Sequence, residues 1–282
     1  MPNRSETLRS AYAARILRLA GVHDPRLERA FAAVPREDFS GPPPWRVSAG
    51  GFGLSEAHDL AALYDDVLVG LDPARGVNNG QPSLHARCLS ALAVEPGETV
   101  VQVGAGAGYY TAILAHLVGP AGKVIAYEID PGLAGRARAN LALYPQVEAR
   151  AGSGVTEALP KADVVTVAAA ASHPVRAWLD ALKPGGRLLF PLQAAQSTGA
   201  MLMVTRPRQD GEAWPARVLC PVVFIACEGA QDPAMGRKLD EAFRRGGAEQ
   251  VRWLRFGPAP ATRVWFAGEG FALTTEAAAA AP

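Results

Sequence analysis

The feature that most constrains the fold is a run of alternating glycines directly after a buried-strand stretch. The strand residues Val100, Val101 and Val103 lead into Gly104-Ala-Gly-Ala-Gly108, and a helical stretch, 109–118, follows at once. Three glycines at alternate positions allow a tight turn and a close approach of the backbone to a ligand. A helix that starts there presents unpaired N–H groups at its positive end. This arrangement predicts a site for a nucleotide-like cofactor, and therefore an enzyme.

Strands and helices alternate through the middle of the chain, which predicts an α/β fold with a parallel sheet covered on both faces. Strands are expected at 99–103, 123–128, 147–150, 163–168 and 187–191. Helices are expected at 109–118, 132–142 and 174–182, with Leu182-Lys-Pro-Gly-Gly-Arg-Leu-Leu-Phe190 as a helix end, a turn and a strand. Two helices are expected within 5–39 and one at 83–93, a turn-rich segment at 40–53, and a short strand at 65–69.

After residue 205 the pattern changes to that of a small α+β extension. Strands are expected at 218–225, 251–256 and 262–266, with a helix at 235–245 and a frayed or disordered tail at 276–282. The large aromatic side chains here predict a buried core, with a dimer surface or a substrate lid as the alternative: Trp253, Phe256, Trp265 and Phe266. Three parts are therefore predicted: an N-terminal helical segment with a substrate-side loop (1–78), a cofactor-binding domain (79–205) and the C-terminal extension (206–282).

Composition excludes several classes of protein. The formal net charge of +1 gives no electrostatic support for nucleic-acid or membrane binding. The N-terminus lacks the apolar core of a signal peptide and no apolar run is long enough to cross a bilayer, so cytoplasmic residence is expected. Cys88, Cys220 and Cys227 have no paired spacing and no clustered His, so we expect buried free thiols and no metal site. The oligomeric state is left open.

A carboxylate at the end of the next strand narrows the choice of cofactor. Glu128 comes twenty residues after Gly108 and can accept two ribose hydroxyls. The dinucleotide fingerprint needs its third glycine where this chain has Tyr109, so a nicotinamide-dependent oxidoreductase is disfavoured.

Together these motifs resemble those of class I S-adenosylmethionine-dependent methyltransferases, with a Rossmann-like sheet. The flanking segments are similar to protein-L-isoaspartate O-methyltransferases: Val34-Pro-Arg-Glu-Asp-Phe39, Tyr64-x-Asp66, Gln81-Pro82 followed by His85, Gly108-Tyr109 and Ala168-Ala-Ala-Ala171. The resemblance covers residues 8–192. It implies S-adenosyl-L-methionine as the cofactor and a carboxylate of a peptide, protein or small molecule as the methyl acceptor.

The resemblance also implies a set of site residues. Those expected to contact the cofactor are Gln102, Gly104, Ala105, Gly106, Gly108, Tyr109, Glu128, Ile129, Ser153 and Gly154. The segment 78–82 is expected to lie over the reacting centre, with Asn79, Gly80 and His85 as the candidate catalytic residues. Tyr109 and Tyr110 are expected mainly to pack, and His173 is a candidate for the wall of the substrate pocket.

Three departures from the family pattern bear on the activity. Gln102 replaces the acid before the glycines, and Ser153 replaces the Asp at the adenine. Gly80 replaces the active-site serine and has no hydroxyl, which argues against isoaspartyl repair itself.

Two readings of the acceptor chemistry stay open. A carboxylate is already ionised at neutral pH and needs no general base, whereas His85 would serve as a base toward a hydroxyl. The alternatives to carboxylate methylation are a non-catalytic S-adenosylmethionine-binding module and a small-molecule O- or N-methyltransferase.

Overall fold

The computed structural model describes residues 3–49, 53–195, 197–209, 211–257 and 263–275. The chain divides into two compact units, 1–153 and 154–282. The three-part division expected from the sequence stays a prediction.

The first unit begins with helices that local sequence signals delimit. They are α1 (Arg4–Ala20), α2 (Pro25–Ala33) and α3 (Glu37–Ser40). Asn3 and Glu6 form a capping box at the start of α1, and Gly21 ends that helix in the left-handed conformation. Asp24 then caps α2 through two backbone N–H groups.

A four-stranded antiparallel sheet follows, where the sequence predicts only one short strand. Its strands are β1 (Trp45–Ala49), β2 (Ser55–Ala57), β3 (Val67–Asp72) and β4 (Val77–Asn78), in the order β2-β1-β3-β4. Trp45, Leu63, Val67 and Val69 pack into a small core against this sheet. The expectation of a turn-rich segment at 40–53 is therefore wrong for β1, because pairing with β2 and β3 outweighs the local Pro and Gly content.

The rest of the first unit is an alternating strand–helix arrangement. It comprises α4 (Pro82–Leu92), β5 (Thr99–Val103), α5 (Tyr109–Val118), β6 (Lys123–Glu128), α6 (Pro131–Asn140) and β7 (Val147–Ala151). β5, β6 and β7 pair in parallel. The carboxyl ends of β5 and β6 therefore meet at one edge, and both the glycine run and Glu128 follow there.

The second unit is largely antiparallel. It comprises β8 (Ala162–Val167), α7 (Arg176–Ala181), β9 (Leu182–Leu192), β10 (Gly199–Thr205), β11 (Ala213–Val222), α8 (Pro233–Arg245), β12 (Trp253–Arg255), β13 (Val264–Gly268) and β14 (Phe271–Thr274). Its strand order is β13-β14-β12-β11-β10-β9-β8. Among the strands described in this unit, only β8 and β9 pair in parallel.

Two features of this unit differ from the sequence expectations. β9 extends through Lys183-Pro-Gly-Gly186, where a helix end and a turn were expected, although its register against β8 shifts between Leu182 and Arg187. β10 was not expected at all; it pairs with β9 and β11 along most of its length. Trp265 and Phe266 are buried, as expected of a core. The predicted tail, 276–282, and the first residue of the strand expected at 262–266 lie outside the described residues.

The three cysteines are buried free thiols, as predicted. Within the described part of the chain, no helix combines the length and apolarity that crossing a bilayer requires. The same residues contain no cluster of three or more His, Cys, Asp or Glu side chains with the spacing of a metal site.

Candidate functional site

The three glycines of the run all adopt backbone angles that favour glycine. The φ values of Gly104, Gly106 and Gly108 are +80°, +58° and +97°. The N–H groups of Gly104 and Ala105 both donate to the Tyr127 carbonyl, at 2.9 and 3.1 Å. The loop after β5 is thus fixed against the end of β6.

Glu128 lies directly at this loop. Its Oε2 accepts a hydrogen bond from the Gly106 N–H at 2.7 Å, and its Oε1 accepts one from the Asp130 N–H at 3.0 Å. Its residue surface is 8% exposed, whereas that of the next residue, Ile129, is 46% exposed. Each carboxylate oxygen has a second lone pair, so both remain able to accept further hydrogen bonds.

Neighbouring side chains enclose the glycine loop. A Cβ built on Gly106 would lie 3.1 Å from Cδ1 of Leu71, at the end of β3. Nδ2 of Asn140, on α6, donates to the Ala107 carbonyl at 2.9 Å. The glycine loop, which we call the cradle, is therefore held between the end of β3 and α6.

The first turn of α5 offers backbone groups to a ligand. No described side chain caps this turn. The Tyr109 side chain is buried and packs edge-on against Phe39, so only its backbone faces the loop side of the helix. Gln102 is buried as well, and its Oε1 accepts a hydrogen bond from Thr111 Oγ1 at 2.7 Å.

The segment 78–82 is closed onto β3 by its own amide side chains. Asn79 Oδ1 accepts from the Val69 N–H at 2.9 Å, while the Asn79 N–H donates to the Val69 carbonyl at 3.0 Å. Asn78 Oδ1 accepts from the Gly80 N–H at 2.9 Å. The Asn79 side chain therefore shapes the loop that presents Gly80.

Arg36 supports the same loop from the protein interior, and the sequence reasoning assigned it no role. Its guanidinium is fully buried and donates to the carbonyls of Leu63, Asp65 and Val67 at 2.5, 3.0 and 2.6 Å. It also reaches Asn79 Oδ1 at 3.4 Å. The motif Val34-Pro-Arg36 contained the residue, but only the folded chain shows what it contacts.

His85 lies on α4 beside Gly80 and Tyr110. Its imidazole stacks on the Tyr110 ring, with centroids 3.7 Å apart and planes 14° from parallel. The Tyr110 hydroxyl donates to the Gly80 carbonyl at 3.4 Å. Burial, with a smaller effect of the Arg36 charge, lowers the pKa of His85 to about 3. The ring is therefore neutral at physiological pH and too weak a base to deprotonate a hydroxyl.

The structure thus brings most candidate residues together in the first unit. Gly80 and His85 contact Tyr110, which follows the glycine run by two residues, and Glu128 contacts the run itself. Ser153 is half-buried after β7. Gly154 and His173 belong to the second unit, where the Gly154 carbonyl accepts from Trp178 Nε1 at 2.8 Å and His173 Nδ1 lies 3.1 Å from Ser172 Oγ.

Comparison with known sequences relates the chain to one family. The profile of the family described as "Protein-L-isoaspartate(D-aspartate) O-methyltransferase (PCMT)" matches residues 13–231. A protein-L-isoaspartate O-methyltransferase of Anaeromyxobacter dehalogenans (strain 2CP-1) is 41% identical over 212 residues, covering 73% of this chain and 90% of the relative. Protein-L-isoaspartate O-methyltransferase 2 of Anaeromyxobacter sp. (strain Fw109-5) is 32% identical over 229 residues, covering 78% of this chain and 83% of the relative.

Solved structures support the predicted fold class. A structure titled protein-L-isoaspartate O-methyltransferase superposes with a TM-score of 0.66 at 21% identity, covering 88% of this chain and 72% of that one. A Plasmodium falciparum protein titled as a putative protein-L-isoaspartate O-methyltransferase, in complex with S-adenosyl-L-homocysteine, gives 0.60 at 20% identity, covering 80% and 99%. These values confirm a Rossmann-like methyltransferase fold with N-terminal helices and a C-terminal antiparallel extension.

Proposed function

Because the chain belongs to the protein-L-isoaspartate(D-aspartate) O-methyltransferase family of S-adenosylmethionine-dependent methyltransferases, we propose that it methylates a carboxylate of a peptide or protein. The matched residues, 13–231, include the glycine run, Glu128 and the segment 78–85. The observation that carries the proposal is the position of Tyr110. This residue contacts Gly80 and His85 and follows the glycine run by two residues, so acceptor and cofactor would meet there.

The cradle fits S-adenosylmethionine. Gly104, Gly106 and Gly108 would lie along its methionine part, where all three have the positive φ that favours glycine. Glu128 would accept the two ribose hydroxyls through its remaining lone pairs. Exposed Ile129 and half-buried Ser153 follow β6 and β7, and they would flank the adenine.

The residues expected near the methyl acceptor suit an anionic acceptor, which needs no general base. S-adenosylmethionine supplies a methyl group bound to a positively charged sulfur. A carboxylate oxygen forms the new C–O bond as the C–S bond breaks, and the electron pair stays on sulfur. No proton moves in this step, which suits the neutral His85 and the amides of Asn78 and Asn79. The chain's task is to align the two reactants and to exclude water.

A methylation assay tests the acceptor class. Radiolabelled S-adenosylmethionine is incubated with a peptide carrying one isoaspartyl residue, with its aspartyl and asparaginyl twins, and with a panel of small carboxylic acids. We expect label that is released as methanol by mild base, because methyl esters hydrolyse there. Label confined to hydroxyl or amine acceptors, or no base-labile label on any carboxylate, would contradict the proposal.

A matched pair of variants tests the cofactor site. We expect Glu128→Ala to weaken binding of S-adenosylhomocysteine at least tenfold in calorimetry, because two hydrogen bonds to a charged group are lost. Glu148→Ala is the control. Glu148 lies on β7, the strand next to that of Glu128, and forms exposed ion pairs with Lys123 and Arg150. Equal affinities of the two variants would exclude Glu128 from the site.

A further inference from the structure

One short hairpin contacts the cradle and also leads directly into the segment expected beside the methyl acceptor. It runs from Val69 on β3 to Asn79 after β4, and we call residues 69–79 the strap. The Asn79 N–H donates to the Val69 carbonyl at 3.0 Å, and Asn79 Oδ1 accepts from the Val69 N–H at 2.9 Å. Because its two ends are joined in this way, the strap and Gly80, which follows it, form one connected piece of backbone.

The strap lies against the cradle at Leu71, in the last part of β3. Cδ1 of Leu71 is 3.1 Å from the position that a Cβ on Gly106 would take. The Leu71 carbonyl accepts a hydrogen bond from Arg136 Nη1, on α6, at 3.2 Å. These contacts place the strap beside the part of the cradle that is expected to face the methionine of the cofactor.

Arg75, at the tip of the strap, provides a second connection. Its Nη2 donates to Asp130 Oδ2 and its Nε donates to Asp72 Oδ2, both at 2.6 Å. Asp130 is itself fixed at the start of α6, because its Oδ1 accepts from the Leu133 N–H at 2.7 Å. The Asp130 N–H donates to Glu128 Oε1 at 3.0 Å. Arg75 thus ties the strap to the turn that carries the carboxylate expected at the ribose.

The effect of these ion pairs is on local order more than on global stability. The Arg75 side chain is 55% exposed, and ion pairs in contact with water contribute little to the free energy of unfolding. However, the planar guanidinium joins one carboxylate on the strap to another at the start of α6, and such a fork restricts orientation as a single contact does not. Removing it should loosen the strap while the protein stays folded.

We propose that Arg75 is a positioning residue that orders the strap before any ligand binds, so that the cofactor and the methyl acceptor each meet a site that is already shaped. The inference rests on the proposed function, because it takes Glu128 as the ribose ligand and the segment 78–82 as the neighbour of the acceptor. Arg75 acts through Asp130 and the strap, and it takes no part in the transfer of the methyl group.

This role has a thermodynamic signature that direct contact with one ligand would lack. When the strap is already ordered, neither ligand has to order it, and the two ligands bind independently. Without Arg75, the first ligand must order the strap, and the second ligand then binds to an ordered one. Loss of Arg75 should therefore weaken the binding of each ligand alone and create positive coupling between them, equal in both directions.

Calorimetry with S-adenosylhomocysteine measures this coupling, because that ligand has no methyl group to transfer. The second ligand is the isoaspartyl peptide, or the best carboxylate of the panel, at saturation. In the wild type we expect the Kd for S-adenosylhomocysteine to change less than about twofold when the acceptor is added. In Arg75→Met we expect the Kd without acceptor to rise about fivefold or more, and the acceptor to bring it back to within about twofold of the wild type.

Two further variants isolate the ion pair. Asp130→Asn keeps an oxygen to cap α6 and the N–H that binds Glu128, but it removes the charge that pairs with Arg75. It should therefore reproduce the effect of Arg75→Met in milder form. Arg4→Met is the matched control, because Arg4 forms an exposed ion pair of the same length, 2.6 Å, with Asp59. We expect it to leave the Kd and the coupling unchanged, with a urea midpoint close to that of Arg75→Met.

Hydrogen exchange provides a measurement that needs no acceptor. The N–H groups of Val69 and Asn79 join the ends of the strap. We expect both to exchange faster in Arg75→Met than in the wild type, and we expect saturating S-adenosylhomocysteine to remove most of the difference.

Each outcome decides the inference. An unchanged Kd for S-adenosylhomocysteine in Arg75→Met overturns it. A raised Kd that stays raised with saturating acceptor also overturns it, since Arg75 would then serve the cofactor alone. If the wild type methylates no carboxylate, the proposed function fails, whereas hydrogen exchange with and without S-adenosylhomocysteine still decides whether Arg75 orders the strap.

Discussion

At the scale of single residues, position 108 requires glycine both because of its backbone conformation and because of the side chain that packs against it. Its φ is +97°, and a Cβ built on it would lie 2.8 Å from Cδ1 of Leu141. Gly135, by contrast, lies inside α6 with open space around it. The same substitution should therefore have opposite effects at the two positions.

We expect Gly108→Ala to lower the free energy of unfolding by about 2–4 kcal/mol, because backbone strain and overpacking add. Gly135→Ala should raise it by about 0.4–1 kcal/mol, since the unfolded chain loses conformational freedom. Urea unfolding of the two variants measures both. Equal destabilisation would mean that Leu141 moves aside and that local helix context dominates.

The lowered pKa of His85 has a consequence for stability. In the unfolded chain the pKa of the ring is about 6.5, the ordinary value for a histidine, whereas in the folded protein it is about 3. The unfolded state therefore binds more protons in between, and stability falls as the pH falls from 6.5 toward 3. We expect the wild type to lose about 1–2 kcal/mol more than His85→Gln between pH 7 and pH 5. Parallel pH profiles of the two proteins would contradict this.

At the scale of elements, one buried side chain joins several segments of the first unit. Arg36 follows α2 and donates to carbonyls between Leu63 and Val67. Its Cζ lies 5.7 Å from the centroid of the Tyr12 ring and 5.8 Å from that of the Tyr109 ring. Its Nε has no hydrogen-bond partner among the described residues. The guanidinium thus connects α2 with the segment before β3 and with the loop that contains Asn79.

We expect Arg36→Met to destabilise the protein by about 3 kcal/mol or more, because it leaves buried carbonyls without donors. Arg46→Met is the matched control: Arg46 forms an exposed ion pair with Glu56 at 2.9 Å, and such pairs contribute about 0–1 kcal/mol. Chemical unfolding compares the two. A cost below 1 kcal/mol for Arg36→Met would show that water satisfies these carbonyls.

At the scale of the whole molecule, the second unit depends on strands that come late in the chain. β11 pairs with β10 over most of its length, and β12 and β14 continue the antiparallel order. Ending the chain after Thr205 would leave the edge of β10 without a partner. We expect this truncated protein to aggregate, with size-exclusion chromatography and light scattering as the measurement. A monodisperse monomer would show that residues 206–282 are a dispensable appendage.

Elements whose signals lie within their own sequence were predicted well, whereas elements that depend on distant partners were not. The bounds of β5, α5 and β6 agree with those predicted. The signals for them, which are the period of the apolar residues, the glycine spacing and the strand ends, all lie within one short stretch of sequence. β1 was missed because its partners, β2 and β3, supply the pairing that its own Gly and Pro neighbours do not signal. β10 was missed although its residues are mostly apolar.

The candidate site shows the same limit. The cofactor residues of the glycine run could be chosen from spacing, and their roles stay predictions. The closeness of Gly80 to His85 and the contacts of Arg36 could not be foreseen, because they depend on where α4 and the segment before β3 lie.

The hydrogen bond between Glu128 and the Gly106 N–H means that the cradle is pre-organised. A loop already fixed at both ends loses little conformational entropy when a ligand arrives. Association should then be limited by diffusion and by the orientation of the ligand, with no slow folding of the loop beforehand. The free protein is, in that sense, already shaped for its methyl donor.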